Sequence, residues 1–255
     1  MPNALLSFDD MLTMIEDRSN VLRSAAAGNL DAGVPGCPGW SVRDLVVHLG
    51  EVHLFWTAAV AAGPAADPPD EEAIGDREPH GDLLTWSAGA TSALIGALVD
   101  AGPERECWTW WESSGAPMTA GAVARHQVQE AAVHALDAQQ AAGQDEPLPP
   151  ALAADGVGEF LTVGLGTMGP WPHDPATVLL SAADGGDWLL RLRRDRLQIL
   201  PLPDADSGPI SPDTTITASP SDLVLAFYRR HGPGRLLVAG DWTLVTRLLD
   251  WPDMD

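Results

Sequence analysis

Apolar residues recur at helical spacing through the first half of the chain, and the spacing shortens through much of the second. From about Phe8 to Ala27, Leu12, Ile15 and Leu22 mark one face of a helix that stops at Gly28-Asn29. The irregular stretch "VPGCPGW" follows, and Ser41 then caps a second helix, "SVRDLVVHLGEVHLFWTAAVAA", with Asp44 completing a capping-box-like start. "GPAADPPDEEAIGDREP" reads as a long, solvated acidic connection. A third helix is predicted from about Gly81 to Asp100. A second long connection, "AGPERECWTWWESSGAPM", carries Trp108, Trp110 and Trp111, and a fourth helix runs from near Thr119 to Gly143. Four helices of this length are enough for a helical bundle.

Proline density in "GQDEPLPP" marks a linker, after which "ATVLLSA", "DWLLRLR" and "RLQILPL" read as strands, the first two joined by the turn "ADGGD". "TTITAS" is a further strand. "SPSDLVLAFYRR" is a capped helix with Pro220 in its first turn, and "GDWTLVTRLLD" closes the chain as another helix. The predicted fold class is therefore α+β: an all-helical domain over 1–145 and a smaller α+β domain over 151–255.

Charge narrows the partners. Fourteen basic residues, all arginine, face 36 acidic ones, for a net charge of -22. Such a surface repels phosphate backbones and anionic lipid, so no nucleic acid and no membrane surface is expected as a partner. The two cysteines, Cys37 and Cys107, lie far apart and outside any CxxC spacing, which indicates neither a disulfide framework nor a cysteine zinc site. The N-terminal stretch lacks the basic flank of a signal peptide, and uninterrupted apolar runs are short. A cytoplasmic protein is expected.

One pair stands out in "QEAAVHALDAQ". Glu130 and His134 are a helical turn apart and share a stripe, among alanines and valines that poorly suit a solvated charge. In a bundle, a carboxylate and a histidine so spaced make half of a metal site. His48 of the second helix, flanked by Leu45, Leu49 and Val52, supplies a third candidate ligand and leaves a coordination position open, as in catalytic zinc sites. Asp137, three residues past His134, is placed to fix its tautomer, and His126 is favoured as a supporting group rather than a ligand. Against this stands a purely structural reading, with a satisfied core histidine and an ion pair of Glu130 with Arg125 or His126. The remaining histidines, His53 among them, are expected on the surface.

"PGCPGWSVRDLVVHLGEVHLFW" together with "QEAAVHALDAQQAAG" resembles the mycothiol-dependent maleylpyruvate isomerase family, whose N-terminal part is a DinB-like four-helix bundle. The resemblance spans nearly the whole chain, because the family often adds a small α+β C-terminal domain. It implies that His48, Glu130 and His134 bind a divalent metal, most often zinc, and that the metal holds the sulfur of mycothiol, a thiol of actinobacteria. It also implies an arginine in the C-terminal domain that assists with an anionic substrate. In "LAFYRRHGPGR" the choice lies among Arg229, Arg230 and Arg235, and Arg230 is taken as the candidate catalytic residue.

The expected activity is thus isomerisation or S-transfer on a small electrophile, with mycothiol as cofactor or co-substrate. A metal-dependent hydrolase with an activated water, and a non-catalytic DinB-type binding module, are the alternatives. Trp40 is expected to pack its loop against the bundle. The Trp108–Trp111 cluster is expected either to line a substrate pocket or to stabilise its loop.

Overall fold

The computed structural model describes residues 6–183, 185–203 and 211–252. They fall into two compact units, one of residues 6–112 with 116–148, the other of 113–115 with 149 onward.

The first unit is built on four long helices: α1 (Phe8–Ala26), α2 (Val42–Ala62), α4 (Leu83–Ala101) and α5 (Ala120–Ala141), with a single turn, α3 (Glu71–Ile74), inside the acidic connection. Local chemistry sets where each begins. Ser7 with Asp10, and Ser41 with Asp44, form reciprocal capping boxes, while Asp82 and Thr119 each accept a backbone N–H of the first turn. The principal packed pairs are α1 with α5 and α2 with α4. Leu22, Val42, Leu45, Val46, Leu49, Ala135 and Ala138 form one continuous apolar cluster, with Cys37 and Trp40 of the preceding loop packed on it. A buried guanidinium, Arg23, ties α1 to α4 by donating to Thr91 Oγ1 at 3.0 Å.

By length and composition α2 and α4 are apolar enough to cross a membrane, contrary to the expectation drawn from uninterrupted runs. Both are bundle helices packed against each other.

The second unit contains a five-stranded sheet in the order β3-β2-β1-β4-β5: β1 (Ala176–Ala182), β2 (Gly186–Leu192), β3 (Leu197–Leu202), β4 (Thr214–Ala218) and β5 (Leu237–Gly240). β1 pairs antiparallel with β2 and parallel with β4, and its alternate residues Val178 and Leu180 are fully buried. Asp184 of the predicted "ADGGD" turn lies outside the described residues. The helices are α6 (Pro150–Phe160), which runs on into a π-helical turn over Leu161–Leu165, α7 (Pro220–Phe227) and α8 (Trp242–Asp250). α6 packs against α7, and the Phe160 and Phe227 rings stack at 4.7 Å.

Two elements depart from the sequence reading. The predicted linker "GQDEPLPP" runs into α6 at Pro150, and "ALAADGVGEF", for which no element is predicted, is the rest of that helix, because a proline at the first position of a helix lacks only an N–H that would have no partner there. β5, a four-residue edge strand, is too short to leave a periodic signal. α7 also ends earlier than predicted. Arg229 adopts φ 58, a left-handed conformation that stops the helix, so the arginines follow it instead of lying on it.

Candidate metal centre

α2 and α5 bring the three predicted ligands together. One ligand atom from each of His48, Glu130 and His134 lies within 4.8 Å of the others. The His48 and His134 rings meet edge to face at 5.1 Å, and the Trp40 ring stands 4.9 Å from that of His48. The loop that carries Trp40 is held closed by its own backbone. Val34 N–H donates to Trp40 O, Trp40 N–H to Cys37 O and Val42 N–H to Ala32 O, all near 3 Å. Gly39 makes the turn possible at φ 89, which a side chain would strain.

His134 divides its ring between two carboxylates. Nε2 lies 3.3 Å from Glu130, and Nδ1 lies 3.0 Å from Oδ2 of Asp137, which has no solvent exposure. Burial works against a charge on this imidazole, but the hydrogen bonds and negative charges of Asp137 and Glu130 outweigh it and lift its pKa to about 9. Burial likewise opposes the Glu130 carboxylate. The His134 hydrogen bond and the charges of His134, His126 and His48 overcome it and hold the group well below the usual carboxylate range. The site is thus arranged to stabilise positive charge between two buried or half-buried carboxylates. Two imidazoles and a carboxylate are donors that zinc and its divalent neighbours accept, and Asp137 gives the imidazole the outer partner such ligands require, so the residues fit a divalent ion.

His126 stands one turn before Glu130, with Nε2 3.9 Å from its carboxylate. Its ring sits among Trp56, Trp110 and Trp111, at centroid distances of 5.3 to 6.3 Å. Trp111 is fully buried and donates to Pro117 O at 3.0 Å, Trp108 packs on Phe55 and Trp56, and Trp110 is exposed. Most of this aromatic mass stabilises the connection before α5.

His53 corrects the surface expectation. It is fully buried on α2, and neither ring nitrogen has a hydrogen-bond partner among the described residues. Burial disfavours its charged form and, despite the attraction of Glu130, depresses its pKa to about 3. The signal was present in the sequence: Leu45, Leu49, His53, Trp56 and Val60 follow one another at helical spacing along one stripe.

In the second unit, Arg229 donates to the Asp250 and Pro252 carbonyls, at 3.2 and 2.7 Å, and so fastens the end of α8. Arg235 is exposed, 3.5 Å from Asp222, and Arg230 donates to Tyr228 O at 2.7 Å.

A sequence profile of the mycothiol maleylpyruvate isomerase N-terminal domain matches residues 13–139, which include the second-helix motif and the Glu130–Asp137 run. Through this helical half the chain belongs to the mycothiol-dependent maleylpyruvate isomerase family. Among solved structures, a mycothiol-dependent maleylpyruvate isomerase and a histidine-to-alanine variant of it match 97% of this chain and 97% of their own. Their TM-scores are 0.58 and 0.60, at 12% identity, so the α+β fold of the isomerase is shared. No curated protein matches the sequence.

Proposed function

We propose that this chain is a divalent-metal-dependent thiol enzyme, an isomerase or S-transferase that uses mycothiol as cofactor or co-substrate on a small electrophile. The observation that carries the reading is the convergence of His48, Glu130 and His134 inside the region that matches the family, with the second nitrogen of His134 held by Asp137. His48, Glu130 and His134 would hold a divalent ion, zinc by donor preference, and such an ion would favour the thiolate of a bound thiol, the form that attacks electrophiles.

The protein's own residues have separate tasks. Asp137 would accept the Nδ1 proton of the neutral His134 ring, which fixes the tautomer and leaves the Nε2 lone pair on the Glu130 side. Glu130 supplies negative charge that offsets the cation. Trp40 packs its ring against His48, which puts apolar mass beside the site and strengthens its electrostatics. Arg230 is assigned, on the family resemblance, to the anionic group of the substrate.

The test is consumption of an electrophile such as maleylpyruvate by the zinc-loaded protein, with and without mycothiol. Thiol-dependent turnover supports the proposal. Thiol-independent hydrolysis points to an activated water instead, and no turnover over a range of electrophiles points to a binding module.

A further inference from the structure

Behind the ligand His134 the structure places a group that the metal reading does not use. Cys37, a thiol in no disulfide, lies in the loop before α2 and directs Sγ to Oδ2 of Asp137 at 3.6 Å. That oxygen is the one that meets His134 Nδ1 at 3.0 Å. The carboxylate is wholly buried on α5 and a hundred residues away in sequence, so only the closure of the 33–41 loop brings the thiol to it.

Resting on the metal reading of the site, we infer that Cys37 is a positioning residue for His134, acting through Asp137. A buried carboxylate needs donors in place of lost water, and a charged one needs them most. Two donors reaching one oxygen from two segments, the loop and α5, restrict rotation of the carboxylate about its own bond. A carboxylate so fixed holds the imidazole plane, and with it the direction in which Nε2 points. The thiol acts as a neutral donor. It takes no part as a nucleophile, and no bond to sulfur forms or breaks. The same loop sets Trp40 against His48, so one short segment supports two of the three ligands.

The experiment compares the full chain with Cys37→Ala, Cys37→Val and Cys37→Ser. Alanine and valine both remove the donor, and valine keeps the volume, so either one that retains the wild-type melting temperature serves. Serine keeps a donor. Zinc affinity is measured by chelator competition, and the ring ¹⁵N signals of His134 are recorded on the metal-free proteins. Loss of the thiol is expected to weaken zinc binding by about 3–10-fold, less than the loss of a direct partner of the ligand. It should also shift the His134 Nδ1 signal, and serine should restore both. Unchanged affinity and signals in a folded donor-less variant would overturn the inference. So would serine behaving like alanine, since the thiol would then contribute only packing. If wild-type protein binds no zinc, the metal reading fails by itself, and the ¹⁵N signals still decide whether Cys37 orients His134.

Discussion

Nδ1 of His134 lies 3.0 Å from Oδ2 of Asp137, a carboxylate without solvent exposure three residues further along α5. In the neutral ring, a proton on Nδ1 held by this carboxylate leaves the lone pair on Nε2. Asp137→Asn keeps the shape and removes the charge, and it should lower zinc affinity by about 10–100-fold with little change in helical content. Chelator competition reads the first quantity and circular dichroism the second. Wild-type affinity in the variant would show that Asp137 serves the core alone.

Metal content tests the ligands themselves. Protein purified without chelator is expected to carry close to one divalent ion per chain, with most of it lost in His134→Ala. Elemental analysis of His48→Ala/His134→Ala decides the matter, because a double variant with full metal content would remove the site from consideration.

An ordinary imidazole, with a pKa of about 6.5, predicts that zinc binding weakens below roughly pH 6. The structure moves that limit upward. Asp137 and Glu130 raise His134 to about 9, so the metal-free protein holds a proton there through the neutral range. Apparent zinc affinity should therefore climb with pH up to about 9, by as much as about tenfold per unit. The same shift sets the sign for the metal-free fold. Stability from the paired imidazolium is fully present below about 6.5 and is lost as pH rises through about 9. Competition titrations at pH 6, 7, 8 and 9 would show the slope, and a plateau from pH 7 upward would contradict it.

How far the sequence reached depended on the range of each relationship. Glu130, His134 and Asp137 share one helix, so their spacing alone places them on one face, and capping residues mark where α1, α2, α4 and α5 start. Pairing His48 with α5 needed the bundle as a premise. The approach of Cys37 to Asp137 was out of reach, because no local pattern ties a loop thiol to a carboxylate a hundred residues on. α6 was hidden by the two prolines that introduce it, and the arginines were placed on a helix that Arg229 ends.

His53 gives a stability test independent of metal. Its pKa is about 3 in the folded protein and near 6.5 when unfolded, so between those values the unfolded chain binds the extra proton. Stability attached to this group is present above about 6.5 and falls as pH falls toward 3. His53→Leu removes the titration and a buried imidazole of similar size that has no hydrogen-bond partner among the described residues. The variant should match or exceed wild-type stability at pH 8 and gain on it by about 2 kcal/mol at pH 5, at about 1.4 kcal/mol per unit below 6.5. Urea denaturation at the two pH values measures the difference. A gap that does not widen in acid would mean that His53 escapes burial when protonated.

The last prediction separates the two units. His48, Glu130 and His134 all belong to the first, so a chain truncated after Leu148 should retain zinc binding, provided circular dichroism shows the four helices intact. That control is needed because a truncated unit can unfold on its own. Turnover of an anionic electrophile should be lost, since the "YRRHGPGR" arginines go with the second unit. In the full chain Arg230→Ala should reduce kcat/KM for such a substrate at least about tenfold, as expected for the loss of one charged contact worth about 1.4 kcal/mol or more, with metal content unchanged. Arg229→Ala should act differently. Its guanidinium holds the Asp250 and Pro252 carbonyls, so its loss should lower the melting temperature before it affects catalysis. If the folded truncation turns substrate over as fast as the whole chain, the arginine assignment falls while the metal centre stands.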